Sequence, residues 1–251
     1  MNIVKYTKYE ALKQLTLPWY HDEELNQKIY SSLILSKTKI KKVLDLCSGT
    51  SPILSYLSKS IEYIGIDSSQ EMIKVAKNKY RALGYKKAQF VCLDINKFLA
   101  INKTLFKHIL LKNALQFFNL RDILPKILNN LESDGIFLIV QTIKTNNQKD
   151  FIKLVNSPKL NQRKITRYTE NDIVNVVESM GDIFNKKIYK QKIDIVEWLD
   201  YHEIEKNTII KLIDSISKMT KDEKNSYNIS KIGNKFYVDR IQIILSIKKK
   251  F

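Results

Sequence analysis

The apolar positions of this chain keep two different rhythms. Between residues 42 and 141, short and nearly continuous apolar runs alternate with stretches whose apolar residues recur every three or four positions. The runs at 42–47, 62–67, 88–93, 105–111 and 136–141 read as strands buried on both faces. The stretches at 52–59, 69–83 and somewhere within 119–131 read as helices. Gly84 closes the second, and Pro125 is expected to begin or kink the third. Upstream, Asp22 can N-cap a helix over 23–36 with Leu25, Ile29, Leu33 and Ile34 on one face. Downstream of 143 the pattern loosens. Residues 144–167 are polar, and Thr169-Glu-Asn-Asp172 looks like a capping box for a helix ending at Met180-Gly181. A strand at 183–191, a helical stretch at 194–219, a loop around 220–234 and a last strand at 235–247 follow. The alternation of that last strand fits an antiparallel edge.

Strand and helix in regular turn predict an α/β fold, with a mostly parallel sheet covered on both faces. The expected division is an N-terminal helical cap at 1–36, a core at 37–143 and a lid insertion at 144–168. The sheet is completed by 169–193 and 235–251, and a second, helical lid insertion lies at 194–234. Each of the first three strands ends at an acid: Asp45, Asp67 and Asp94. Right-handed crossovers place those acids side by side along one rim, where open α/β sheets bind ligands.

The turn after the first strand narrows the choice of ligand. A dinucleotide site needs three glycines, so that amides can approach a pyrophosphate. Here the turn, Cys47-Ser-Gly-Thr-Ser51, has only Gly49. Asp45 would repel a phosphate and attract an ammonium group. A phosphate-free adenosine carrying an amino acid fits better.

Composition changes the picture only in its charge. A hydrophobic content of 44% in 251 residues suits one globular core. No stretch nears the ~20 apolar residues of a membrane span, and the first residues lack the apolar run of a signal peptide. Cys47 and Cys92 show neither a disulfide nor a metal spacing. These features predict a soluble, cytoplasmic protein without a metal site. The net charge of +17 invites a nucleic-acid partner. However, 38 of the basic residues are lysine and only 5 arginine, scattered along the whole chain. Arginine is the residue suited to phosphate forks and base stacking, so the charge reads as a solvated surface.

Asp45-Leu-Cys-Ser-Gly-Thr-Ser51 resembles the D-x-G-C-G-x-G motif of the class I, Rossmann-like S-adenosylmethionine-dependent methyltransferases. His108–Phe118 resembles the family's fourth-strand motif, which runs beneath the transferable methyl. Leu131-Glu-Ser-Asp-Gly-Ile-Phe resembles its turn into the fifth strand. The match covers residues 37–143. It implies a seven-stranded sheet with the last strand antiparallel, and S-adenosyl-L-methionine as cofactor. It also implies that Asp67 accepts the ribose hydroxyls and that Asp94 with Ile95 contacts adenine. Asp45, Cys47, Ser48, Gly49, Thr50, Ser68, Met72, Lys112 and Asn113 complete the expected cofactor site. Ser51, where the family has its last glycine, is the larger departure.

The acceptor is harder to read. Tyr20, His21, Gln116 and His202 are the candidate catalytic residues, with Trp19, Asn113, Trp198 and Tyr201 beside them. His108, inside an apolar strand, reads as structural, and Trp198 and Tyr201 share a helix face of the kind that builds cores. The chain lacks the Asn-Pro-Pro-Tyr-type motif of amino-methylating nucleic-acid enzymes and a cysteine placed for pyrimidine methylation. The expected activity is therefore methyl transfer to O, N or C of a small metabolite, by a monomer or homodimer. An RNA or protein methyltransferase using the basic surface, and a non-methylating binder of the same cofactor, are the alternatives.

Overall fold

The computed structural model describes residues 6–36, 40–156 and 168–250. The eleven residues at 157–167, part of the expected excursion, lie outside the described residues. The chain opens with α1 (Lys8–Lys13) and α2 (Glu23–Leu33). Asp22 caps α2 by accepting from the Leu25 amide at 2.9 Å. Strand and helix then alternate: β1 (Lys42–Leu46), β2 (Glu62–Asp67), α3 (Gln70–Ala82), β3 (Ala88–Cys92), α4 (Ile95–Ile101), β4 (Phe106–Lys112), α5 (Leu120–Asn129) and β5 (Leu131–Thr142). The remainder is α6 (Asn146–Val155), α7 (Glu170–Glu178), β6 (Gly181–Asp194), α8 (Ile195–Tyr201), α9 (Lys206–Lys218), α10 (Lys221–Ser226), β7 (Ile229–Ile232) and β8 (Lys235–Lys249).

The sheet order is β3-β2-β1-β4-β5-β8-β6, with β7 paired to β8. The first five strands are parallel to one another, and β8 runs antiparallel to both β5 and β6. The order reverses at β1, whose neighbours are β2 and β4. That reversal opens a crevice at the carboxyl edge of the sheet. One face is covered by α4, α5 and α7 through Leu99, Ile123, Leu124, Ile127 and Ile173. The other is covered by α2 and α3 through Leu25, Ile29, Leu33, Ile73 and Tyr80. A third apolar cluster, formed by α6, α8, α9 and the β7–β8 hairpin around Phe151, Ile195, Leu199 and Ile216, also takes in Leu17 and Trp19.

Several expectations change. The sheet has eight strands, because Ile229–Ile232, read as loop, zips onto β8 from Val238 to Lys235. β8 lies inside the sheet and β6 takes the edge. The second insertion is therefore not purely helical, and its helical stretch breaks between α8 and α9. Residues 52–59 give only a 3-10 turn, Pro52–Tyr56. Ser51, in the left-handed region at φ 56°, leads into it without a side-chain cap. α5 starts at Leu120 behind an Asn119 cap and runs through Pro125. Four buried apolar side chains on the surrounding turns, Ile123, Leu124, Ile127 and Leu128, compensate the ladder bond that proline cannot make. The expected turn at Asp134-Gly135 is an irregularity within β5, where the register with β4 shifts.

Candidate functional site

The rim acids do two tasks at once. Asp67 ends β2, and its two carboxylate oxygens accept from the Gly49 amide and the Ser69 amide, both at 2.8 Å. One side chain thus locks the β1 turn to the start of α3. Each oxygen keeps a further acceptor direction toward the crevice. Ser69, not Asp67, is the N-cap of α3, accepting from Met72. Asp94 N-caps α4 through one oxygen, which takes the amides of Asn96 and Lys97 at 2.9 and 3.2 Å. Its other oxygen is left for the crevice.

Asp45 is buried, and the Tyr63 hydroxyl donates to it from the neighbouring strand. Register explains how. Asp45 pairs with Gly65, and Tyr63 lies two residues before it on the same face. The Tyr63 ring passes over Gly65, where a Cβ would meet it at 3.1 Å, Phe90 at 3.0 Å and Ser48 Oγ at 2.9 Å. Glycine at 65 therefore makes room for the tyrosine and the β1 turn together. Burial pushes the Asp45 carboxyl up to about 7, against the pull of Tyr63 and Lys112.

The turn itself is strongly bent. Cys47, Gly49 and Ser51 have φ of 55°, 55° and 56°. Ser51 takes the left-handed shape that glycine adopts freely, so the missing glycine leaves the backbone path intact at a local conformational cost. Tyr80 steadies it, donating to the Ser51 carbonyl at 2.6 Å. Behind β4, Asn113 (φ 50°) accepts from both the amide and the hydroxyl of Thr142.

These elements surround a cavity of about 130 Å³. Of the residues expected to hold a cofactor, Asp45, Cys47, Ser48, Gly49, Asp67, Ser68, Met72, Asp94, Ile95, Lys112 and Asn113 line it. Thr50 does not. It is buried behind the turn, its hydroxyl 3.4 Å from Gln14 Oε1. Among the catalytic candidates only Tyr20 reaches the cavity. Burial raises its phenol well above the ordinary range, so it remains a proton donor.

His21 is turned away, its Nε2 bonded to the Gln14 carbonyl at 3.1 Å. Gln116 is a scaffold residue, tied to the Asn113 carbonyl at 2.6 Å and to Gln141 at 2.9 Å. His202 packs edge-on against Trp198 and Tyr201 in the third apolar cluster, away from the cavity. His108 is buried in β4, as expected. The sequence reading missed Tyr6 and Gln14 ahead of the sheet, and Phe117 and Phe118 as walls. The Gln-Phe-Phe end of the fourth-strand motif was a signal for the last two; Tyr6 and Gln14, flanking α1, had none.

Among the described residues no cluster of His, Cys, Asp and Glu could hold a metal ion, and no helix is long and apolar enough to cross a membrane.

Residues 37–171 match the family described as a methyltransferase domain. The chain belongs to that family. A curated relative, carboxy-S-adenosyl-L-methionine synthase of Nautilia profundicola, is 31% identical over 170 residues, 65% of this chain and 70% of that protein. A solved structure of a putative methyltransferase from Bacillus halodurans aligns with a TM-score of 0.70 at 15% identity, covering 90% of this chain and 99% of the other. A methyltransferase from Thiobacillus denitrificans, solved with S-adenosyl-L-homocysteine, aligns at 0.61 with 14% identity, covering 98% and 100%. The resemblance to class I S-adenosylmethionine-dependent methyltransferases is borne out in family and in fold.

Proposed function

We propose that the crevice binds S-adenosyl-L-methionine and that this methyltransferase delivers the methyl group to an O, N or C atom of a small metabolite in the cytoplasm. The observation that carries the reading is the alignment of Asp45, Asp67 and Asp94 on one cavity whose turn has no phosphate cradle. The residues fit the group. The open acceptor sites of Asp67 suit two ribose hydroxyls, Asp94 and Ile95 suit adenine, and Asp45 suits an ammonium. When bound, the sulfonium would supply a methyl carbon that is already electrophilic. The protein's part is then to align the nucleophile and to exclude water. Tyr20, Phe117 and Phe118 provide the walls for that. With His21, Gln116 and His202 outside the cavity, the reading assigns no general base and needs none for an acceptor that is already nucleophilic.

A second reading has one observation in its favour, the name of the Nautilia relative. In it a second substrate releases CO2 and takes up a proton given by the donor's methyl carbon, and that carbon bonds to the CO2, so the donor leaves the site carboxylated.

Calorimetry tests the shared premise. S-adenosyl-L-homocysteine should bind at one site per chain, while NAD should give no heat. NAD binding, or no binding of the nucleoside, would overturn it. Incubation with methyl-labelled donor and a metabolite extract separates the two readings. Label on an acceptor supports transfer, and a carboxylated donor in the mass spectrum supports the second reading.

A further inference from the structure

The three rim acids are not held alike. Asp67 and Asp94 are pinned by backbone amides of the turns they face. Asp45 sits within β1, where the amides are spent on the sheet. Among the described residues its Oδ2 is held by the Tyr63 hydroxyl. Both residues are buried, Tyr63 completely, and Asp45 lines the cavity.

The tyrosine is itself fixed from behind. Its ring tilts against Phe90 with centroids 5.8 Å apart, and Phe90 stacks on Tyr80 at the same separation. Two hydroxyls of this aromatic ladder therefore reach the β1 turn. Tyr80 meets a backbone carbonyl, that of Ser51, whereas Tyr63 meets a side chain that faces the ligand space. Gly65 belongs to the same device, since a side chain there would displace the Tyr63 ring.

A hydrogen bond donated to a buried carboxylate favours its ionised form, because water cannot take the donor's place. The charges around Asp45 oppose one another: Lys112 of β4 pulls toward ionisation, and Asp67 of β2 pushes against it. Burial keeps Tyr80 of α3 and Cys47 of the turn protonated and neutral. Burial and the adjoining carboxylate also keep the Tyr63 phenol protonated, so it remains a donor near neutral pH.

We propose that Tyr63 is a positioning residue of the donor site: its hydroxyl aims the Asp45 carboxylate at the donor's ammonium and keeps it in the charged form that the ammonium needs. The inference rests on the donor reading above.

The test is calorimetric titration with S-adenosyl-L-homocysteine between about pH 5.5 and 8.5. It compares the parent with Tyr63→Phe, Tyr80→Phe, Asp45→Asn and the pair Asp45→Asn/Tyr63→Phe. Parent affinity should tighten with pH around a midpoint of about 7. In Tyr63→Phe that midpoint should rise by about one pH unit, the worth of one hydrogen bond to a charged group. Affinity then falls about fivefold at pH 7 and recovers by about pH 8.5. Tyr80→Phe, which removes a hydroxyl from the same turn, should keep the parent's midpoint. In the Asp45→Asn background, Tyr63→Phe should change affinity by less than about twofold, because the tyrosine acts through the acid. An unmoved midpoint in Tyr63→Phe, or a loss that persists at the alkaline end, would overturn the proposal. So would an equal shift in Tyr80→Phe, an equal loss in the Asp45→Asn background, or a flat parent profile. A parent that does not bind the nucleoside would instead sink the donor reading. Because Tyr63→Phe keeps the ring against Phe90, recovery at high pH itself shows a folded protein around an intact site.

Discussion

The two ends of the crevice are built on opposite plans. At the β2–β3 end, each acid that faces the cavity also caps a helix or ties down a turn, so it is fixed by backbone amides a few residues away or one strand over. At the β4 end, the side chains come from segments far apart in sequence. Lys112 meets Asn26, 86 residues away. Gln141 meets Gln116, and Gln191 joins Asp22 to Arg240. The first end is held by secondary structure and the second by packing.

Asp67→Ala attacks the first plan where it is most concentrated. It removes the proposed ribose acceptor and both amide contacts, so nucleoside affinity should fall about 10–100-fold. Folding stability should fall by about 1–3 kcal/mol. Calorimetry and urea unfolding measure both losses. Affinity unchanged within error would reject the role given to that acid.

A smaller effect comes from pH. Because the Asp45 carboxyl ionises at about 7 when folded, well above an exposed aspartate, the folded protein holds an extra proton between about 4 and 7. Its contribution to stability therefore falls as pH rises through that window and then levels off. Affinity for the ammonium-bearing nucleoside should move the other way, tightening up to about tenfold from pH 6 to 8. Asp45→Asn should flatten that profile, and a parent profile that is already flat would detach Asp45 from the ligand.

Ser51→Gly should have the mildest consequence. The left-handed backbone at 51 costs serine about 1–2 kcal/mol, and glycine gives part of that back as unfolded-chain entropy. A net gain of about 0.5–1 kcal/mol is expected, with nucleoside affinity unchanged. A loss of affinity would mean that the serine itself serves the ligand.

The same contrast explains what was legible in the sequence. The parallel strands, their terminal acids and the caps Asp22 and Thr169 are local patterns, and each appears where its spacing placed it. The pairing of Ile229–Ile232 with β8 is a short hairpin whose strand holds only one buried residue, Ile229, too little to register as a period. His21 and His202 looked chemical because they stand beside aromatics. In the fold Trp198 and Tyr201 draw His202 into packing while His21 bonds the Gln14 carbonyl, and nothing local to either histidine foretold it. Gln116 looked like a substrate contact, yet its partners are Asn113 and Gln141, the latter brought beside it by the pairing of β4 with β5. Lys112 was visible, but its bond to Asn26 exists only once α2 packs against the sheet.

Tyr6 and Gln14 belong to the first stretch of chain, and they form part of the cavity wall. Any change that displaces that stretch therefore alters the cavity wall itself. Lys249, by contrast, pairs with Gly181 at the β6 margin of the sheet, and neither residue lines the cavity.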